Sequence, residues 1–139
     1  MNAIQPVLTI NRPVNRFGAG VLALILCLAA RPGGAATITV TNAADSGAGT
    51  LRQAIATAAP GDTIDFAITG MIVLTNGELA INANLSIVGP GQTLLTISGN
   101  NASRVFNISA VTVNLSGLTI ANGRKYDLPG GGIYNAAPP

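Results

Sequence analysis

The chain contains no histidine, no tryptophan and one cysteine in 139 residues; 9% of it is charged and 4% aromatic. Without histidine, a His-based catalytic triad and a histidine-ligated metal site are both excluded. Cys27 lies in the apolar run Phe17–Ala30, FGAGVLALILCLAA, ahead of the expected mature start. The mature chain then carries no thiol. Disulfides and thiolate catalysis are closed to it, and its stability must come from packing. Charge of either sign is equally scarce. Arg12, Arg16 and Arg31 all precede residue 37. From Thr37 onward, four basic residues (Arg52, Arg104, Arg124, Lys125) stand against five acidic ones (Asp45, Asp62, Asp65, Glu78, Asp127). That balance forms no basic patch, so nothing electrostatic points to nucleic acid.

What the chain has in quantity is glycine, asparagine, threonine and small or β-branched aliphatics, a composition suited to short strands and tight turns. Residues 1–36 read as a signal peptide. Arg12 and Arg16 form a positive n-region, the run above an apolar core, and Gly34-Ala35-Ala36 a small-residue cleavage region. The apolar run is shorter than the roughly 20 residues of a membrane-spanning helix, so no stable membrane span is expected once the leader is removed. A buried core helix is the alternative for this run. A lipoprotein signal would need a small residue before Cys27, where Leu26 stands.

The stretch Asp45–Phe66, DSGAGTLRQAIATAAPGDTIDF, organises the rest. Thr50 can cap a helix whose Leu51, Ala54, Ile55 and Ala58 form one apolar stripe, with Arg52, Gln53 and Thr57 facing away. Pro60-Gly61 stops it. Everything else reads as strand. Thr37–Asn42 and Thr63–Ile68 alternate polar with apolar residues; Met71–Leu74, Leu79–Ile81, Leu85–Val88, Leu94–Ile97, Val105–Ile108, Val111–Leu115 and Leu118–Ile120 follow, separated by Gly- and Asn-rich breakers. The closures Ile87-Val88-Gly89, Ile97-Ser98-Gly99 and Ile120-Ala121-Asn122-Gly123 look alike, as do Asn84-Leu85-Ser86, Asn107-Ile108-Ser109 and Asn114-Leu115-Ser116.

Degenerate repeats of short strands and sharp corners predict a solenoid: an all-β, right-handed parallel β-helix of few coils, with a β-sandwich as the alternative. The helix then covers the open strand edge and the bare core end of the first coil, and Ile55→Asp would expose that end and cause aggregation. In the domain plan, residues 37–66 are the N-terminal cap and first coil, 67–123 the β-helix coils, and 124–139 an incomplete coil and flexible tail. A solenoid cut mid-coil leaves its last rung uncovered, which predicts end-to-end self-association.

Thr39–Ile55, Pro60–Phe66 (PGDTIDF), Leu85–Gly91 (LSIVGPG), Leu95–Asn101 (LTISGNN), Arg104–Ile108 (RVFNI), Leu115–Gly123 (LSGLTIANG) and Gly130–Asn135 (GGGIYN) together resemble the N-terminal region of bacterial exported right-handed parallel β-helix proteins. These are large surface or secreted proteins of the polymorphic outer-membrane protein and adhesin-like type. The resemblance implies the β-helix fold, secretion or cell-surface display, and a structural or adhesive role. It also implies further coils after the GGGIYN stretch, where only Ala136-Ala137-Pro138-Pro139 follows here.

No catalytic, cofactor-binding or metal-binding residue is expected, and no cofactor. Asp62 and Asp65 are close in sequence but read as turn and solvated-surface residues, and Glu78 as an isolated solvated one. Arg104, Arg124, Lys125 and Asp127 do not form the acidic calcium cluster of a β-helix polysaccharide lyase. Gly130-Gly131-Gly132 lacks the Lys-Ser/Thr of a phosphate loop. The Asn-x-Ser triplets at Asn84, Asn101, Asn107 and Asn114 read as by-products of an Asn- and Ser-rich corner repeat. Tyr126 and Tyr134 could stack on sugars. Glycans or surface proteins are therefore the expected partners, met by regularly spaced Thr, Asn and Ser. The alternative is the N-terminal part of a carbohydrate-active enzyme, a polysaccharide lyase or glycosidase, whose catalytic coils lie elsewhere.

Overall fold

A computed structural model describes residues 34–126 and 128–136. Residues 1–33 of the expected 1–36 signal peptide, with Cys27, lie outside the described residues, as does Asp127. The chain winds into a parallel β-solenoid of about four turns with one short helix. Strand β1 (Thr37–Val40) and helix α1 (Leu51–Thr57) make the first turn. Three rungs follow: β2 (Thr63–Phe66), β3 (Gly70–Val73) and β4 (Leu79–Ile81); β5 (Leu85–Val88), β6 (Leu95–Ser98) and β7 (Phe106–Ser109); β8 (Val113–Ser116), β9 (Thr119–Ala121) and β10 (Ile133–Ala136). Every strand pairs in parallel with its equivalent one coil along. The first sheet has the order β1-β2-β5-β8, the second β3-β6-β9 and the third β4-β7-β10.

Alternation in each strand turns one set of side chains inward, and the register stacks them. Ile38, Ile64, Ile87 and Leu115 form one ladder; Ile72, Ile97 and Ile120 a second; Ile81 and Ile108 a third. Phe106 fills the middle rung beside Leu79, and both are enclosed. Each such Leu or Ile contributes about 1.5–3 kcal/mol on burial, which is how a chain without disulfides in its strands stays folded.

The helix forms where the sequence places it. Thr50 has extended backbone and its hydroxyl accepts from Gln53 N–H, while Gln53 Oε1 accepts from Gly49 N–H at 2.8 Å. Together these satisfy two donors at the helix start. Leu51 and Ala54 are buried, Ile55 and Ala58 pack partly against the same core, and α1 contacts β1 and β4, the first strands of two sheets. It caps the first turn. Arg52 departs from the expected outward orientation: it reaches over the corner after β3, as described below.

Two further points add detail to the sequence reading. The stretch assigned to an incomplete coil and tail carries a strand: β10 pairs with β7, Ile133 beside Phe106 and Asn135 beside Ile108, and Val105 and Phe106 N–H both donate to the Gly132 carbonyl. The look-alike closures are also only partly vertical neighbours. Ile97 does stack on Ile120, but Ile87 stacks on Leu115, and Asn114 lies beside Ser86 rather than Asn84. Coil length varies: Thr63 meets Ser86 and Ser86 meets Asn114. Corners absorb the difference, so similar motifs mark similar strand ends on different sides of the prism.

Candidate functional site

Four acidic side chains are described, and three of them, Asp45, Asp62 and Glu78, are built into the frame. Asp45 is 7% exposed. Its Oδ1 accepts from Arg52 Nη2 at 2.7 Å and Nε at 3.1 Å, and its Oδ2 accepts from the N–H groups of Thr75 and Asn76 at 2.9 and 2.6 Å. Burial pushes the Asp45 carboxyl up. The hydrogen bonds from Arg52, Asn76 and Thr75 and the Arg52 charge outweigh it and hold the group below its ordinary value. Asp62 sits at the Pro-Gly-Asp turn as expected, but it is enclosed rather than solvated: it accepts from Ala36 N–H and Ala59 N–H, both at 2.8 Å.

Glu78 is not isolated either. It belongs to a column that climbs the corner ahead of the third sheet in steps of 26 residues. Arg52 Nη1 donates to the Glu78 carbonyl at 3.0 Å; Arg104 Nη1 donates to Glu78 Oε2 at 3.3 Å; Arg104 Nε donates to the Gly130 carbonyl at 3.1 Å. Asn107 Nδ2 donates to Glu78 Oε1 at 2.8 Å. Arg104 is 6% exposed, and its guanidinium lies 4.5 Å from the centre of the Tyr134 ring, a cation–π contact. Tyr134 is thereby occupied within the fold. Tyr126 is 64% exposed and stacks with Arg124 at 4.3 Å.

The outer face of the first sheet, which has four strands where the other two have three, is mostly polar. Two columns stand on it, Thr37, Thr63, Ser86 and Asn114 in one, Thr39, Asp65, Val88 and Ser116 in the other. Rungs are spaced by about 4.8 Å and the columns by about 6.6 Å, two residues along a strand. Six of these eight side chains are hydroxyls or amides that both donate and accept; neither column holds a cation or an aromatic. An open cleft lined by Gly61, Asn84, Ser86, Thr112 and Asn114 borders the first column. Asn84 Oδ1 accepts from Thr112 N–H at 2.7 Å, and Asn114 Nδ2 lies 3.5 Å from Ser86 Oγ. Asp65 is the one charge on the face; its Oδ1 is enclosed and has no hydrogen-bond partner among the described residues. This departs from the fully solvated position expected for it.

Asp62 and Asp65 lie on one strand and its approach, without a shared cleft. Among the described residues no group of three His, Cys, Asp or Glu side chains could hold a metal ion, and no helix is long and apolar enough to cross a membrane. The residues that sequence reasoning missed are Asp45 and the Arg52–Glu78–Arg104 column. The equal 26-residue intervals were a readable signal for the column. Comparison with protein-family models, with curated proteins and with solved structures yields no match.

Proposed function

We propose that the chain belongs to an exported bacterial surface or secreted protein, of the adhesin-like β-helix type, with a structural or adhesive role and no catalysis of its own. The observation that carries this reading is the outer face of the first sheet, where four rungs repeat small hydrogen-bonding side chains at even spacing. Such an array suits many weak contacts with a glycan or a protein surface. The internal engagements of Asp45 with Arg52 and of Glu78 with Arg104 support the same reading, because carboxylates used to hold corners are not free to act as an acid–base pair. The apolar run Phe17–Ala30 with its basic flank supplies the export signal.

Fractionation of bacteria expressing the full chain tests the reading. It predicts protein in the medium, or protein removed from intact cells by added protease. Retention in the cytoplasm with Met1 intact would contradict it.

A further inference from the structure

Ala36 stands where the expected leader meets the first strand. Its N–H donates to Asp62 Oδ1 at 2.8 Å and its carbonyl accepts from Thr63 N–H at 2.8 Å, so residue 36 already belongs to the ladder between β1 and β2. Asp62 is 2% exposed, and its Oδ2 accepts from Ala59 N–H in the turn that follows α1. One enclosed carboxylate thus ties the start of the solenoid to the end of its cap. Gly34 and Ala35, just upstream, are exposed.

Hydrolysis of the Ala35–Ala36 bond adds one water, leaving a carboxylate on Ala35 and an amine on Ala36 that takes up a proton near neutral pH. The new α-ammonium would occupy the position of the present peptide nitrogen, 2.8 Å from Asp62 Oδ1. A neutral donor becomes a charged one without movement of residue 36, and charge-assisted bonds are about twice as strong. Cleavage one bond later, after Ala36, would forfeit both Ala36 bonds. Ala35 and Gly33 are the small residues that a leader peptidase needs at the last and third-last positions of its product.

We propose that the leader is removed between Ala35 and Ala36, and that Asp62 receives the new α-ammonium group as an ion pair that fastens the first rung. The proposal rests on the export reading. Its test is the N-terminal sequence and intact mass of the protein recovered outside the cytoplasm, followed by acylation of its α-amine. The expected chain begins at Ala36, and its α-amine reacts about tenfold more slowly than in Asp62→Asn, as a pKa raised by about one unit implies. A chain beginning at Thr37 or later, or equal amine reactivity in the two proteins, overturns the inference while export stands. A cytoplasmic chain that keeps Met1 overturns the export reading and the inference with it. Should Asp62→Asn fail to accumulate, the comparison is the wild-type protein folded and in urea; a rate ratio near one overturns the ion pair.

Discussion

Arg52 and Glu78 stand one coil apart, and Arg52 Nη1 donates to the Glu78 carbonyl at 3.0 Å while Nη2 donates to the carbonyl of Gly77 at 2.7 Å. The same guanidinium binds Asp45. A helix side chain thereby fixes both the loop before the helix and the corner between β3 and β4.

Replacing Arg52 by alanine strips these bonds and leaves the Asp45 carboxylate enclosed without its cation. The expected loss is about 2–4 kcal/mol by urea denaturation. Arg52→Lys should recover little of it, because a single ammonium cannot reproduce the forked geometry.

Acid should unlock the same corner. Asp45 has a folded-state pKa below its ordinary 3.8, so the unfolded chain binds the proton more readily. The stability it contributes is complete above the ordinary value and is lost as pH falls through the lower folded-state value. Denaturation midpoints measured through the acidic range should fall more steeply for the wild-type protein than for Asp45→Asn.

Close stacking of corners makes some glycines irreplaceable. A Cβ on Gly117, at φ +63°, would come within 2.3 Å of the Gly89 carbonyl oxygen of the rung before it, whereas one on Gly77, at φ +82°, meets nothing within 4 Å. Gly117→Ala should cost about 3 kcal/mol or more, combining backbone strain with a clash. Gly77→Ala should cost about 1–2 kcal/mol, from strain alone. Equal losses in thermal denaturation would contradict the stacking.

Among the described residues Ala110 is the one alanine held in left-handed backbone, at φ +54°, at the corner after β7. Its side chain is exposed. Ala110→Gly relieves about 1–2 kcal/mol of strain and gives back about 0.5–1 kcal/mol in chain entropy. A rise of the thermal midpoint is therefore expected, and a fall would show that the corner is not strained.

Strands and helix were legible because alternation and a capped apolar stripe are local signals. Ile64 and Ile87 turn inward whatever lies around them. Asn100, Asn101 and Asn122, all with positive φ, sit at corners for the reason their chemistry suggests. Strand β10 was not legible, since Ile133–Ala136 is short, follows three glycines and owes its place to β7 rather than to its own pattern. Arg52 misled for another reason. Helical periodicity places a Cα on a face, but a long side chain can still reach a corner 25 residues later. Glu78 and Arg104 became a pair only once a coil of about that length was fixed.

The claim with most consequence is that the outer face of the first sheet carries the contact function. Binding of the purified protein to a panel of immobilised neutral and charged glycans tests it most directly, with Thr39→Lys and Asn114→Lys on that face and Thr119→Lys on the second sheet as the control. All three positions are exposed, so folding should change by less than about 0.5 kcal/mol at the first two and by about 1 kcal/mol at the control, where the Thr119 hydroxyl donates to the Gln92 carbonyl at 2.7 Å. Weak retention by at least one glycan, reduced about tenfold by the first two substitutions and unchanged by the third, is the expected result. Retention by none, or an equal loss in all three variants, would contradict the assignment.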